Sequence, residues 1–127
     1  MSKQNLLMLF FGALLIGANS CGKLNGQTQD GSDLQTVVEQ GALLLDVRTT
    51  GEYEEGHVEG SINIPLGELE QRLEGEQKLE DKEQKIVVFC QSGGRSSQAI
   101  KILERNGYTS LYNGGGWVSV NQLLQKH

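Results

Sequence analysis

Two apolar periodicities alternate along this chain, and their succession predicts its elements. Leu34, Val37 and Val38 fall at helical spacing behind Ser32, which is placed to cap a helix that Gly41 would end. Residues 42–47 follow, with Leu43, Leu44 and Leu45 in an unbroken apolar run. A run without alternation predicts a strand buried on both faces, as in a parallel sheet. Thr49 and Glu52 stand at capping-box spacing, so a short helical turn should start there and finish at Gly56. After a brief strand at residues 62–64, Pro65 opens a helix that buries Leu66, Leu69 and Leu73 and turns Glu68, Glu70, Arg72 and Glu74 outward. The charged run 80–85 reads as a solvated helix end and loop without chemistry of its own. Residues 86–89 form a second apolar, β-branched strand, and a helical pattern covers 96–106 up to Gly107. A short strand near Leu111, the triple glycine 114–116 and a last helix burying Val120, Leu123 and Leu124 complete the chain. Strands alternating with helices predict an α/β domain with helices on both sides of the sheet.

The first twenty residues break this pattern. Lys3 is followed by an apolar run at 6–16 and then by the small or polar Ala18, Asn19 and Ser20, the layout of an export signal. That run is well short of the ~20 apolar residues that span a bilayer. Cys21 directly after it resembles the acylated cysteine of a bacterial lipobox, with Ala18 where a large aliphatic residue is usual. The expectation is therefore a signal peptide at 1–20, a flexible tether at 21–31 whose Cys21 is a lipidation site, and a single domain at 32–127. The protein would be exported, periplasmic or otherwise extracytoplasmic, and anchored to the membrane; cleavage after Ser20 without acylation would release it as a soluble protein. Without the signal the chain has ten basic and sixteen acidic residues, a net charge of −6, which argues against nucleic acid as a partner.

The chain's second cysteine, Cys90, sits where the 86–89 strand ends and a helix begins, the position at which parallel α/β sheets bind ligands. The intervening loop is Cys90, Gln91, Ser92, Gly93, Gly94 and Arg95, leading into Ser96. Backbone N–H groups can converge on a thiolate there, the helix N-terminus adds partial positive charge, and Arg95 supplies a full one. Gly93 and Gly94 offer the positive φ that an inward-curling loop needs. An isolated cysteine is more often a small buried hydrophobe. The agreement of glycines, arginine and helix start argues for a nucleophile instead.

These residues carry a resemblance to the rhodanese family from about Ser32 to the end of the chain. One part is Leu45, Asp46, Val47, Arg48 with Glu52, Gly56-His57, Gly60-Ser61 and Asn63-Ile64-Pro65; the second is the Cys90–Ser96 loop; the third is Gly107-Tyr108, Leu111 and Gly114 to Trp117. The resemblance implies a central parallel sheet of about five strands flanked by helices, and a sulfurtransferase of the thiosulfate:cyanide type that needs no cofactor and no metal. It implies that Cys90 cycles between thiolate and persulfide, taking sulfur from a small anionic donor such as thiosulfate and passing it to cyanide, a thiol or a protein thiol. Gln91, Ser92, Gly93, Gly94 and Arg95 would bind the substrate, the loop N–H groups cradling the persulfide and Arg95 steering the donor. Asp46, Arg48 and Ser96 would support the loop, with a structural ion pair as the other reading of Asp46 and Arg48. The resemblance makes His57 a signature of the fold, and Trp117 reads as core.

Two rivals remain to be weighed. Cysteine-dependent phosphatases also end a thiolate loop on arginine, but their loop is longer than the four residues between Cys90 and Arg95, and Phe89 stands where they place histidine. The other rival is a relay or docking module that delivers persulfide to a protein partner without free turnover.

Overall fold

The protein, seen in a computed structural model, is described over residues 31–125. The expected signal, tether and lipidation site at Cys21 lie outside the described residues. In chain order the elements are α1 (Gly31–Glu39), β1 (Leu43–Asp46), α2 (Thr50–Glu55), β2 (Ile62–Asn63), α3 (Leu66–Arg72), a 3₁₀ turn (Gln77–Leu79), β3 (Lys85–Cys90), α4 (Gly94–Arg105), β4 (Ser110–Gly116) and α5 (Trp117–Gln125).

The strands form one sheet in the order β2-β1-β3-β4, and every pairing is parallel. Four strands among the described residues are close to the five or so that the resemblance implies. The apolar runs predicted to be buried on both faces are so: alternate side chains of β1 and β3 enter two separate cores. Leu45, Ile86, Val88 and Cys90 pack with Leu69, Leu79, Ala99 and Leu103 under α3 and α4. Leu44, Val87 and Phe89 pack with Leu34, Val37 and Val120 under α1 and α5. Cys90 is therefore the last inward residue of a central strand, on the α4 side.

Local chemistry explains most boundaries. Thr49 caps α2 by accepting from the Glu52 N–H at 3.2 Å, and the Glu52 carboxylate accepts from the Thr49 N–H at 3.0 Å, the capping box the spacing predicts. Asn63 donates to the carbonyls of Asp46 and Arg48 at 3.1 and 3.0 Å, which ties β2 to the outgoing end of β1. Two boundaries and one element differ from expectation. α1 begins at Gly31, so Ser32 lies inside its first turn and not at its cap. α4 begins at Gly94, two residues before Ser96, because only Gly93 takes positive φ (107°) and the chain turns helical at once. The 3₁₀ turn was not foreseen; it seats Leu79 in the core, and Tyr108 donates its phenol proton to the Leu79 carbonyl at 2.6 Å.

Candidate active site

The site is built where β1 and β3 end side by side, Asp46 pairing with Phe89 in the register. Cys90 is 1% exposed and is the free cysteine of the described residues. The Gly93 N–H donates to its sulfur at 2.9 Å, and the thiol lies 3.8 Å from the Ser96 hydroxyl. Positive φ at Gly93 bends the loop into this arrangement, a conformation that costs other residues a clash at Cβ. Burial pushes the Cys90 thiol up, but the N–H groups of Ser96, Gly93 and Ser92 and the Ser96 hydroxyl together hold it below the ordinary thiol range. The result is a thiol that ionises more readily than that of a free cysteine.

Asp46 and Arg48, both buried, form a tight ion pair. Arg48 Nε donates to both Asp46 oxygens at 3.0 Å, and Nη2 donates to Asp46 Oδ2 and to the Gly56 carbonyl, each at 2.8 Å. The guanidinium carbon also sits 4.6 Å from the centre of the Trp117 ring. A Cβ on Gly56 would lie 3.2 Å from that ring, so a side chain at 56 would require the ring to shift by a few tenths of an ångström. His57 stacks on Tyr53 with ring centres 3.9 Å apart, and its Nδ1 lies 2.9 Å from the Tyr53 carbonyl, contacts that hold the α2 corner.

Arg95 stands beside the sulfur with its guanidinium turned to a carboxylate. Nη1 and Nη2 donate to Glu52 Oε1 and Oε2 at 2.8 and 3.1 Å, a fork-to-fork pair. The Cys90 thiolate and Asp46 add to the charges that favour its cationic form, after Glu52 itself. Glu52 was legible as a cap but not as the partner of Arg95, since nothing in the sequence links positions 43 residues apart. An open pocket of about 440 Å³ adjoins the loop, lined by Arg48, Glu52, Glu55, Gly56, Gln91 and Trp117. Both arginines at this end of the sheet are thus held by carboxylates, while Glu55 lines the pocket without a partner among the described residues. The described residues hold no cluster of three or more metal-ligating groups.

The Glu52–Arg95 pair sets a pH dependence. The Arg95 hydrogen bond, with help from Thr49, lowers the Glu52 carboxyl from 4.5 to about 2. A depressed folded-state value means that the contribution to stability is complete above about pH 4.5 and is lost as pH falls toward 2. Glu52→Gln keeps the capping geometry and removes the charge. Because the pair is a third exposed, the variant is expected to lose about 1 kcal/mol or less at neutral pH. Urea unfolding at a series of pH values checks this: the gap between variant and native protein should close between pH 4.5 and 2, and a gap independent of pH would contradict it.

Comparison with known proteins bears on what such a site does. The model of the rhodanese-like domain matches residues 30–122. Over 72 residues the chain is 42% identical to the thiosulfate sulfurtransferase PspE of Escherichia coli, covering 57% of this chain and 67% of that protein. Over 70 residues it is 37% identical to the putative sulfur carrier protein YrkF of Bacillus subtilis, covering 55% of this chain and 36% of that one, so it spans about a third of that relative's length. Among solved structures it resembles a human single-domain sulfurtransferase, with a TM-score of 0.65 and 29% identity over 80% of this chain and all of that one.

Proposed function

The chain belongs to the rhodanese-like domain family, and we propose that it is a sulfurtransferase in which Cys90 carries sulfane sulfur as a persulfide. The observation that carries this reading is the sulfur's setting: a buried cysteine at a strand end, its thiol held low by converging N–H groups. In the loading step the Cys90 thiolate attacks the outer sulfur of a donor such as thiosulfate. A sulfur–sulfur bond forms, the donor's own sulfur–sulfur bond breaks, and sulfite leaves with the electron pair. In the second step an acceptor thiolate or cyanide attacks the outer sulfur of the persulfide, and Cys90 departs as thiolate. Sulfur and charge balance in both steps, with no metal or cofactor required.

The same N–H groups that hold the thiolate suit the terminal sulfur of a persulfide anion, and the loop from Gln91 to Arg95 is too short to encircle a phosphate comfortably. In this reading Asp46 and Arg48 fix the end of β1 against the loop, and Ser96 supports the sulfur from below. Export and anchoring through Cys21 are supported by the sequence pattern alone.

A relay function is a second reading, favoured by the charge of the pocket. Arg48 and Arg95 are already paired, so a free dianion finds no unpaired arginine there, whereas a thiol presented by a protein partner needs none. Steady-state assays with thiosulfate and cyanide distinguish the two. Turnover with ping-pong kinetics supports the enzyme, and persulfide formation that stops after one equivalent supports the relay. Failure of any donor to load Cys90 would overturn both.

A further inference from the structure

The Ser96 hydroxyl has one proton and three neighbours able to accept it. Asn113 Oδ1 lies at 2.7 Å, the Gly93 carbonyl at 2.9 Å and the Cys90 sulfur at 3.8 Å, and Ser96 itself is fully buried. Burial shields the hydroxyl from bulk solvent, so its protein neighbours dominate the division of that proton. The hydroxyl helps hold the Cys90 thiol low only as far as its proton reaches the sulfur; while it donates to Asn113 or to the Gly93 carbonyl it offers Cys90 lone pairs alone. Those lone pairs suit a thiol, which donates its S–H, and oppose a thiolate, which must itself accept.

The fold holds Asn113 for this contact. Its Oδ1 also accepts from the Gly115 N–H at 2.9 Å, and its Nδ2 donates to the Ser97 hydroxyl at 3.0 Å, so the amide's orientation is fixed at both ends. The Gly115 bond exists because β4 carries a bulge. Val88 pairs with Asn113 but Phe89 pairs with Gly115, leaving Gly114 as the extra residue. A bulge re-aims the side chain beside it. Gly114 tolerates no Cβ, which would lie 2.8 Å from Val120 and 3.0 Å from Val87, so this local path depends on glycine.

We propose that Asn113 is a positioning residue of the sulfur-transfer site: it competes with Cys90 for the single proton of the Ser96 hydroxyl and so tunes how readily the nucleophile forms. This rests on the reading of Cys90 as the nucleophile, but its test uses no sulfur donor and stands apart from turnover. The charged groups at this end of the sheet are Arg95 with Glu52, Asp46 with Arg48, and Glu55 in the adjoining pocket, and none is altered by a change at Asn113.

The experiment is the rate of Cys90 alkylation by iodoacetamide against pH, on the full chain. Asn113→Ala leaves the Ser96 proton to be shared between the Gly93 carbonyl and the sulfur alone, and the midpoint should move to lower pH by about half a pH unit, about threefold more thiolate on the acid side. In a Ser96→Ala background the same substitution should move nothing. If Asn113→Ala does not fold, Asn113→Asp serves: its carboxylate grips the proton harder, the midpoint rises, and that rise should shrink when Ser96 is alanine. A merely structural Asn113 would loosen the loop, cost the sulfur its N–H donors and move the Asn113→Ala midpoint upward. That result, or a shift undiminished by Ser96→Ala, overturns the proposal.

Discussion

Replacing Cys90 by serine is expected to abolish sulfur uptake. Treated with an excess of thiosulfate, the native protein should gain about 32 Da, the mass of one sulfur atom, by intact-mass spectrometry, and Cys90→Ser should gain none. The reason is chemical more than steric. The loop places the Gly93 N–H at 2.9 Å from the Cys90 sulfur, and serine would present an oxygen whose proton is far too tightly held to yield a nucleophile at neutral pH. Turnover should fall by at least about 10⁴-fold, the scale of losing a covalent nucleophile. Stability should change little by comparison, because the serine hydroxyl inherits the Gly93 N–H and the Ser96 hydroxyl as partners. An adduct of the same mass on Cys90→Ser would move the chemistry to Cys21, the chain's other cysteine, and would sink the assignment.

The Cys90 loop was legible in the sequence because its chemistry is local. The strand end, the glycines, the arginine and the helix start lie within seven consecutive residues, and each points to the same geometry. The strands were legible for a similar reason: Leu43 to Leu45 and Ile86 to Phe89 are apolar without alternation because both faces of the sheet are covered. What escaped the sequence was long-range. Glu52 reads as a cap and is one, but its second task, holding Arg95, depends on the β1 and β3 ends lying side by side. That adjacency follows from the order β2-β1-β3-β4, which no local pattern encodes. Asn113 escaped because its aim depends on a register shift in β4, and a glycine triplet shows only that something irregular occurs there. The loop's charge changes meaning as a result. Arg95 alone is a cation awaiting an anionic donor; Arg95 with Glu52 is a neutral clamp that fixes the outer edge of the loop.

The ion pair of Asp46 and Arg48 should yield the largest change in stability of any single substitution at the site. Arg48→Met leaves the Asp46 carboxylate buried with only the residue-48 backbone N–H, at 2.9 Å, as a partner. It also strips the Gly56 carbonyl of its donor and the Trp117 ring of its cation. Removing one partner of a buried pair costs about 3–5 kcal/mol, a large share of the 5–15 kcal/mol that holds a typical domain together. With a urea slope of roughly 1–3 kcal/mol per molar, the unfolding midpoint should fall by about 2 M. Replacing both residues tests whether the cost lies in the orphaned charge. Asp46→Asn with Arg48→Met removes that charge, and the double variant should be more stable than the sum of its two single changes predicts, by more than about 1 kcal/mol of coupling. If Arg48→Met instead lost less than about 0.5 kcal/mol, in the range of an ordinary surface change, the pair would contribute nothing to the fold. Sulfur loading of the folded Arg48→Met protein then separates the two tasks of the pair. A structural role alone leaves loading per folded molecule intact, whereas support of the loop lowers it, because Asp46 ends β1 in register with Phe89, the residue before Cys90.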